Sequence, residues 1–145
     1  MEKVFSILSR KYPQFNTISP DCLLTEALSK MTCENVDYLI VTDGNNNFLG
    51  LLSEHDIIGK ITSSEKSIQS ITVNEMMNTH LPVADISDSV EGCMKMMRQH
   101  DTRFIPVFQD YTFMGIVSSE DILQEAVYHR GEIFDAFPAE PPVLA

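Results

Sequence analysis

Apolar residues fall along this chain in two alternating rhythms, and the order of rhythms comes twice. Leu24, Ala27, Leu28 and Met31 stand at i, i+3, i+4 and i+7, the spacing of one buried helix face, and Val90, Cys93, Met94 and Met97 repeat it. After each stripe come two short runs, Tyr38–Thr42 with Phe48–Ser53 and Phe104–Phe108 with Phe113–Ser118. Leu39-Ile40-Val41 and Leu49-Gly50-Leu51-Leu52 lack polar alternation, which predicts strands covered on both faces. The turns are Asp43-Gly44-Asn45-Asn46-Asn47 in the first pair and Gln109-Asp110-Tyr111 in the second. Short extended segments, Asn16 to Ser19 and Pro82 to Asp85, precede the stripes, and Pro20-Asp21 and Ser87-Asp88-Ser89 suit the helix starts. A last helix leaves each second strand; the second is expected to run past Ile122 and Leu123 towards Phe134, with Gly131 as a candidate break.

The unit is therefore β-α-β-β-α, an α/β fold of the α+β type, present twice. Thr17 through Val41 align with Val83 through Val107 without a gap, and the match resumes from Phe48 with Phe113 to Ile58 with Leu123, one turn residue shorter. Two copies make a paired domain, not a solenoid. The expected organisation is an N-terminal helix in 1–15, a first repeat at 16–62, a linker and short helix at 63–78, a second repeat at 79–134 and a loose tail at 135–145. Val4, Phe5, Ile7 and Leu8 make the first segment amphipathic, and Thr72 to Met77 suits one helical turn.

At 145 residues the chain buries roughly two-thirds of its unfolded surface, enough to fold without a disulfide or metal. Its net charge of -11 opposes nonspecific binding to nucleic acid or to an anionic membrane, although a small anionic ligand needs only a few local donors. The apolar run near the N-terminus is too short for a signal or a membrane span, so the cytoplasm is the expected address. Cys22, Cys33 and Cys93 show neither C-x-x-C nor zinc spacing and read as free thiols.

Both copies end their second strand in Gly-apolar-apolar-Ser-x-x-Asp: Gly50 to Asp56 and Gly115 to Asp121. A glycine in a strand admits a ligand or another backbone closely, and a Ser at the exit with the first N–H groups of a helix suits a phosphate. The Asp, one turn on, suits a ribose diol. The same Ser-x-x-Asp is also close to a capping box, which serves stability alone.

These paired motifs, with Phe104-Ile105-Pro106-Val107 and Thr17-Ile18-Ser19-Pro20, resemble the cystathionine-β-synthase (CBS) domain family over about Thr17 to Ala126. The resemblance implies two repeats related by pseudo-twofold symmetry. Adenosine ligands such as AMP, ATP, NAD(H) or S-adenosylmethionine are expected in clefts between them, as is a homodimer. It further implies that Asp56 and Asp121 hold ribose hydroxyls and that Ser53 and Ser118 touch ribose or phosphate. The base is expected against Thr17, Ile18, Tyr38 and Ile40 in the first copy, and Val83, Ala84, Phe104 and Pro106 in the second. Before the Asp, where relatives often carry a cation, stand His55 and Glu120; Arg103, aligned with Asp37, restores positive charge, so the sites are expected to be unequal.

No base and nucleophile are arranged for catalysis and no histidine pairing suits a metal, so neither an enzyme nor a metal site is expected. Cys93 reads as a core thiol, Cys33 as the thiol to test for reactivity, and the methionines as gap fillers. Two functions remain open: a nucleotide sensor signalling in trans to an unidentified protein partner, and a structural or interaction module whose motifs are only caps.

Overall fold

A computed structural model describes residues 3–11 and 16–136 and is mixed α/β, with two three-stranded sheets. In the first, β1 (Thr17–Ile18) runs parallel to β2 (Tyr38–Thr42), which is antiparallel to β3 (Phe48–Ser53). The second repeats that order with β4 (Ala84–Asp85), β5 (Phe104–Gln109) and β6 (Thr112–Ser118). The parallel crossovers carry α2 (Leu24–Glu34) and α5 (Val90–Gln99), while α3 (Glu54–Ile61) and α6 (Ser119–Ala136) leave β3 and β6. Two short helices, α1 (Val4–Arg10) and α4 (Val73–Met76), complete the set, with a 3₁₀ turn at Ile68–Ser70. Among the described residues no helix is long and apolar enough to cross a membrane.

The described chain divides into two compact units, one of residues 16–81 and one of residues 3–11 with 82–136. Their cores use matching positions: Ala27, Met31, Leu39, Val41, Leu52 and Ile57 in the first correspond to Cys93, Met97, Ile105, Val107, Val117 and Ile122 in the second. Each core is closed by a short helix from outside its own β-α-β-β-α stretch. Val73 and Met76 of α4 enter the first, Val4 and Ile7 of α1 the second. The Val4 N–H donates to the Asp88 carbonyl at 2.9 Å and Lys3 Nζ to the Ser87 carbonyl at 3.0 Å, so α1 begins on the turn that starts α5.

Four local expectations are corrected. The helix after β6 passes through Gly131 without a break, since a single glycine weakens a helix by only about 1 kcal/mol. Pro20-Asp21 does not start α2. Its N-cap is Leu23, with no side-chain cap, and the Leu24 N–H donates to the Ile71 carbonyl at 2.8 Å, so returning chain does the capping. Ser89 does cap α5, accepting from the Gly92 N–H at 3.1 Å. The second hairpin is tighter than expected: Gln109 pairs with Thr112, leaving Asp110 and Tyr111 as a two-residue turn at φ 48° and 67°, as in a primed turn.

The strand expected from Pro82 starts later, at Ala84. In the first sheet the Ile40 N–H donates to the Asn16 carbonyl at 2.8 Å, ahead of the Thr17–Ile40 pair. Pro106 stands in the place of Ile40 and has no N–H to give. The ladder therefore begins at Ala84, and Val83 is left 53% exposed. Of the tail expected at 135–145, the first two residues end α6, and 137–145 lie outside the described residues, as do 1–2 and 12–15 of the N-terminal segment.

Candidate functional site

Each strand-to-helix junction places a serine and an aspartate one turn apart. Ser53 is the N-cap of α3: its Oγ accepts from the Asp56 N–H at 3.2 Å and donates to Asp56 Oδ2 at 3.0 Å. The Glu54 N–H, also at the helix start, donates to the Asp37 carbonyl at 3.0 Å. Ser53 is buried and Asp56 half-buried, whereas His55 is exposed. No cation among the described residues pairs with Asp56.

The second junction uses the same residues in a different pattern. Ser118 Oγ accepts from the Asp121 N–H at 3.1 Å, and Asp121 Oδ2 returns to accept from the Ser118 N–H at 2.8 Å, the reciprocal bonding of a capping box. The Ser119 N–H donates to the Arg103 carbonyl at 2.8 Å, as Glu54 does to Asp37. The exposed Arg103 guanidinium lies over the Phe104 ring, 5.7 Å from its centroid. Asp121 also holds a partner that sequence reasoning missed: Lys11 Nζ lies 2.8 Å from its Oδ2. One turn further along α6, the buried Glu125 pairs with Arg10. The sequence signal was Arg10-Lys11 together with two carboxylates at i and i+4. Nothing local joined them across more than a hundred residues.

The motif glycines meet different needs. A Cβ on Gly50 would lie 2.9 Å from the Asn78 carbonyl oxygen, because Leu51 and Asn78 exchange backbone hydrogen bonds of 2.8 and 3.0 Å just beside it. Of the two close approaches open to this glycine, another backbone is the one present. Gly115 instead adopts φ 149°, which an L side chain rarely does.

The strand candidates divide by face. Tyr38 and Phe104 pair in register with Ser53 and Ser118, so each repeat sets a buried aromatic beside its capping serine. Ile40 and Pro106 are buried as well. Ile18 and Ala84 pack inside the two hydrophobic cores, so their side chains are committed to the helical layer. Thr17 is half-buried and its carbonyl accepts from Lys30 Nζ. Val83 and Ala84 line an open cavity of about 550 Å³ with Phe108, Asp110 and Tyr111.

Among the described residues no three His, Cys, Asp or Glu side chains converge to hold a metal. Burial pushes the Cys93 thiol up to about 11, with the Asp88 charge adding to it. At pH 8 it stays protonated and enclosed, while Cys33 is exposed at the end of α2. Alkylation of native protein with iodoacetamide is therefore expected to label Cys33 and spare Cys93 until denaturant is added. Comparable labelling of Cys93 in the native state would count against its burial.

The chain matches the CBS domain family over residues 4–63 and 73–128, and it belongs to that family. The CBS domain-containing protein YhcV of Bacillus subtilis is 30% identical over 109 residues, which are 75% of this chain and 76% of that protein. Homoserine O-acetyltransferase of Methanococcus vannielii is 28% identical over 122 residues, 83% of this chain but 24% of the enzyme. The chain spans between a fifth and a third of the length of the first curated relatives it matches. Among solved structures, the CBS domain protein NE2398 superposes with a TM-score of 0.81 at 27% identity, covering 88% of this chain and 99% of its own. The fold is shared with CBSX2 in complex with AMP (TM-score 0.72, 20% identity, covering 90% of this chain and 99% of that one). It is also shared with the CBS domain pair of MJ0100 in complex with 5′-methylthioadenosine and S-adenosyl-L-methionine (0.75, 24%, covering 89% and 98%).

Proposed function

We propose that the chain is a regulatory module that binds an adenosine nucleotide at its Ser-x-x-Asp motifs and signals to a protein partner in trans, without catalysing a reaction. The observation that carries this reading is the half-buried Asp56 carboxylate, held in place by Ser53 and paired with no cation among the described residues. Two such oxygens at a helix start suit the adjacent hydroxyls of a ribose, which arrive as hydrogen-bond donors. Family membership supports it, as do the adenosine ligands of CBSX2 and MJ0100. AMP, ATP, NAD(H) and S-adenosylmethionine are the ligand candidates. Free cysteines suit a reducing compartment, and the cytoplasm is the proposed address.

A homodimer is part of the proposal. Ile58 on α3 and Leu123 on α6 occupy the same position of the two repeats and are 67% and 65% exposed, and in this reading a second copy covers each of them.

The second reading, a structural module, is favoured by the hydrogen bonds that make both serines caps. Thermal unfolding and calorimetry of nucleotide-stripped protein against the four candidates separate the two. A ligand at a hundred times its Kd is expected to stabilise the native state by about 2.7 kcal/mol, and Asp56→Ala to remove that gain. Silence across the whole panel leaves the interaction module; undiminished binding to a folded Asp56→Ala, Asp121→Ala double variant sinks the site assignment. In sedimentation of the same samples, Ile58→Glu is expected to give a monomer, and an unchanged mass removes Ile58 from the dimer contact.

A further inference from the structure

The two motifs are built alike but finished differently, and the difference comes from a residue outside both β-α-β-β-α stretches. In the first repeat the Leu51 carbonyl accepts from the Asn78 N–H at 2.8 Å. Ile116 is the counterpart of Leu51, and its carbonyl accepts instead from Lys11 Nζ, also at 2.8 Å. The same ammonium group reaches Asp121 Oδ2, so one lysine bridges the strand end and the carboxylate assigned to the ribose. Its side chain is 21% exposed and that of Asp121 16%, so the pair is screened from much of the solvent that weakens surface ion pairs.

Lys11 is also delivered there by a fixed element. It is the first residue past α1, whose Val4 and Ile7 are buried in the core of this unit and whose Arg10 pairs with Glu125, one turn beyond Asp121. Ile7, Arg10, Lys11, Asp121, Gln124 and Glu125 line a half-open cavity of about 240 Å³. That is less than the roughly 300–1,000 Å³ usual for a ligand pocket.

We propose that Lys11 is an intramolecular competitor for the second motif, holding Asp121 in the place of a ligand's hydroxyl donors, so that nucleotide enters at Asp56 and is refused at Asp121 until the lysine leaves. Because α1 is anchored through its buried face, release needs only the Lys11 side chain to swing away. The inference rests on the nucleotide reading given above, and it makes Lys11 the residue that sets how many ligands each chain takes.

Calorimetric titration of the full chain with AMP and, separately, with S-adenosylmethionine tests the gate. One equivalent per chain is expected for the wild type and two for Lys11→Met. Two equivalents in the wild type, or one still in Lys11→Met, overturn it. A readout without nucleotide tests the tether itself. Tryptic cleavage after Lys11, followed by mass spectrometry, is expected to be at least about tenfold faster in Asp121→Asn, which keeps an acceptor for the Ser118 N–H but loses the charge. An unchanged rate shows that Asp121 does not hold Lys11 and overturns the proposal. Faster cleavage with neither nucleotide bound by either protein overturns both the nucleotide reading and the gate, leaving Lys11–Asp121 as a structural clasp.

Discussion

Truncating Leu39 to alanine is expected to cost about 2–5 kcal/mol, as is truncating Ile105. Both side chains are fully buried, at the matching position of β2 and β5, and each packs against its own helical layer. Domains of this size commonly hold only about 5–15 kcal/mol in total, so either change takes a large share of the stability. Removal of the three carbons beyond Cβ loses their transfer free energy and leaves a cavity that a strand fixed on both sides cannot close. At about 2–4 °C per kcal/mol, the unfolding midpoint is expected to fall by roughly 4–20 °C. Val127→Ala, at a 61% exposed position of α6, is the control and is expected to stay within about 0.5 kcal/mol. A loss below about 1 kcal/mol at Leu39 in a denaturant titration would mean that the first core can collapse around the gap.

Gly50→Ala is expected to destabilise by about 1–3 kcal/mol, the range for overpacking a filled site. The added Cβ meets a backbone oxygen at 2.9 Å, and that oxygen belongs to the Leu51–Asn78 bridge that brings the segment after α4 onto β3. Retreat of Asn78 would stretch the two hydrogen bonds of the bridge, so the strain has no inexpensive outlet. Met77 Sδ is also close, at 3.2 Å, but a methionine side chain can turn aside. The double variant Gly50→Ala, Met77→Ala separates the two contacts. If shortening Met77 restores stability, the side chain was the obstacle and the backbone argument is wrong.

Much of the repeat was legible because it is written in local periodicity. The helical stripe at Leu24 to Met31 and the unbroken apolar runs of β2 and β5 each depend only on neighbours in sequence, and β2 and β3 lie at the predicted residues. The motif was legible for the same reason, since Ser53 to Asp56 and Ser118 to Asp121 each span a single helical turn. Pro106 could be seen as a departure from Ile40. Its effect on where β4 begins needed the Asn16–Ile40 hydrogen bond as a reference.

What escaped the sequence was long-range pairing between short, weak signals. Val4 with Ile7, and Val73 with Met76, are two-residue apolar marks that any exposed turn could carry, and only packing assigns one pair to each core. Leu23 is no capping residue by type; it can stand at the N-cap because Ile71, from across the fold, supplies a carbonyl to the Leu24 N–H. The sequence by itself thus determined the repeated β-α-β-β-α unit and the residues of both motifs, since periodicity and capping act within one or two turns. Tertiary structure decided which short helix closes which core, why Gly50 must lack a side chain, and that Lys11 rests on Asp121 while no described cation rests on Asp56. Those outcomes depend on which distant backbone and charge are brought within 3 Å, and no spacing along the chain encodes that distance.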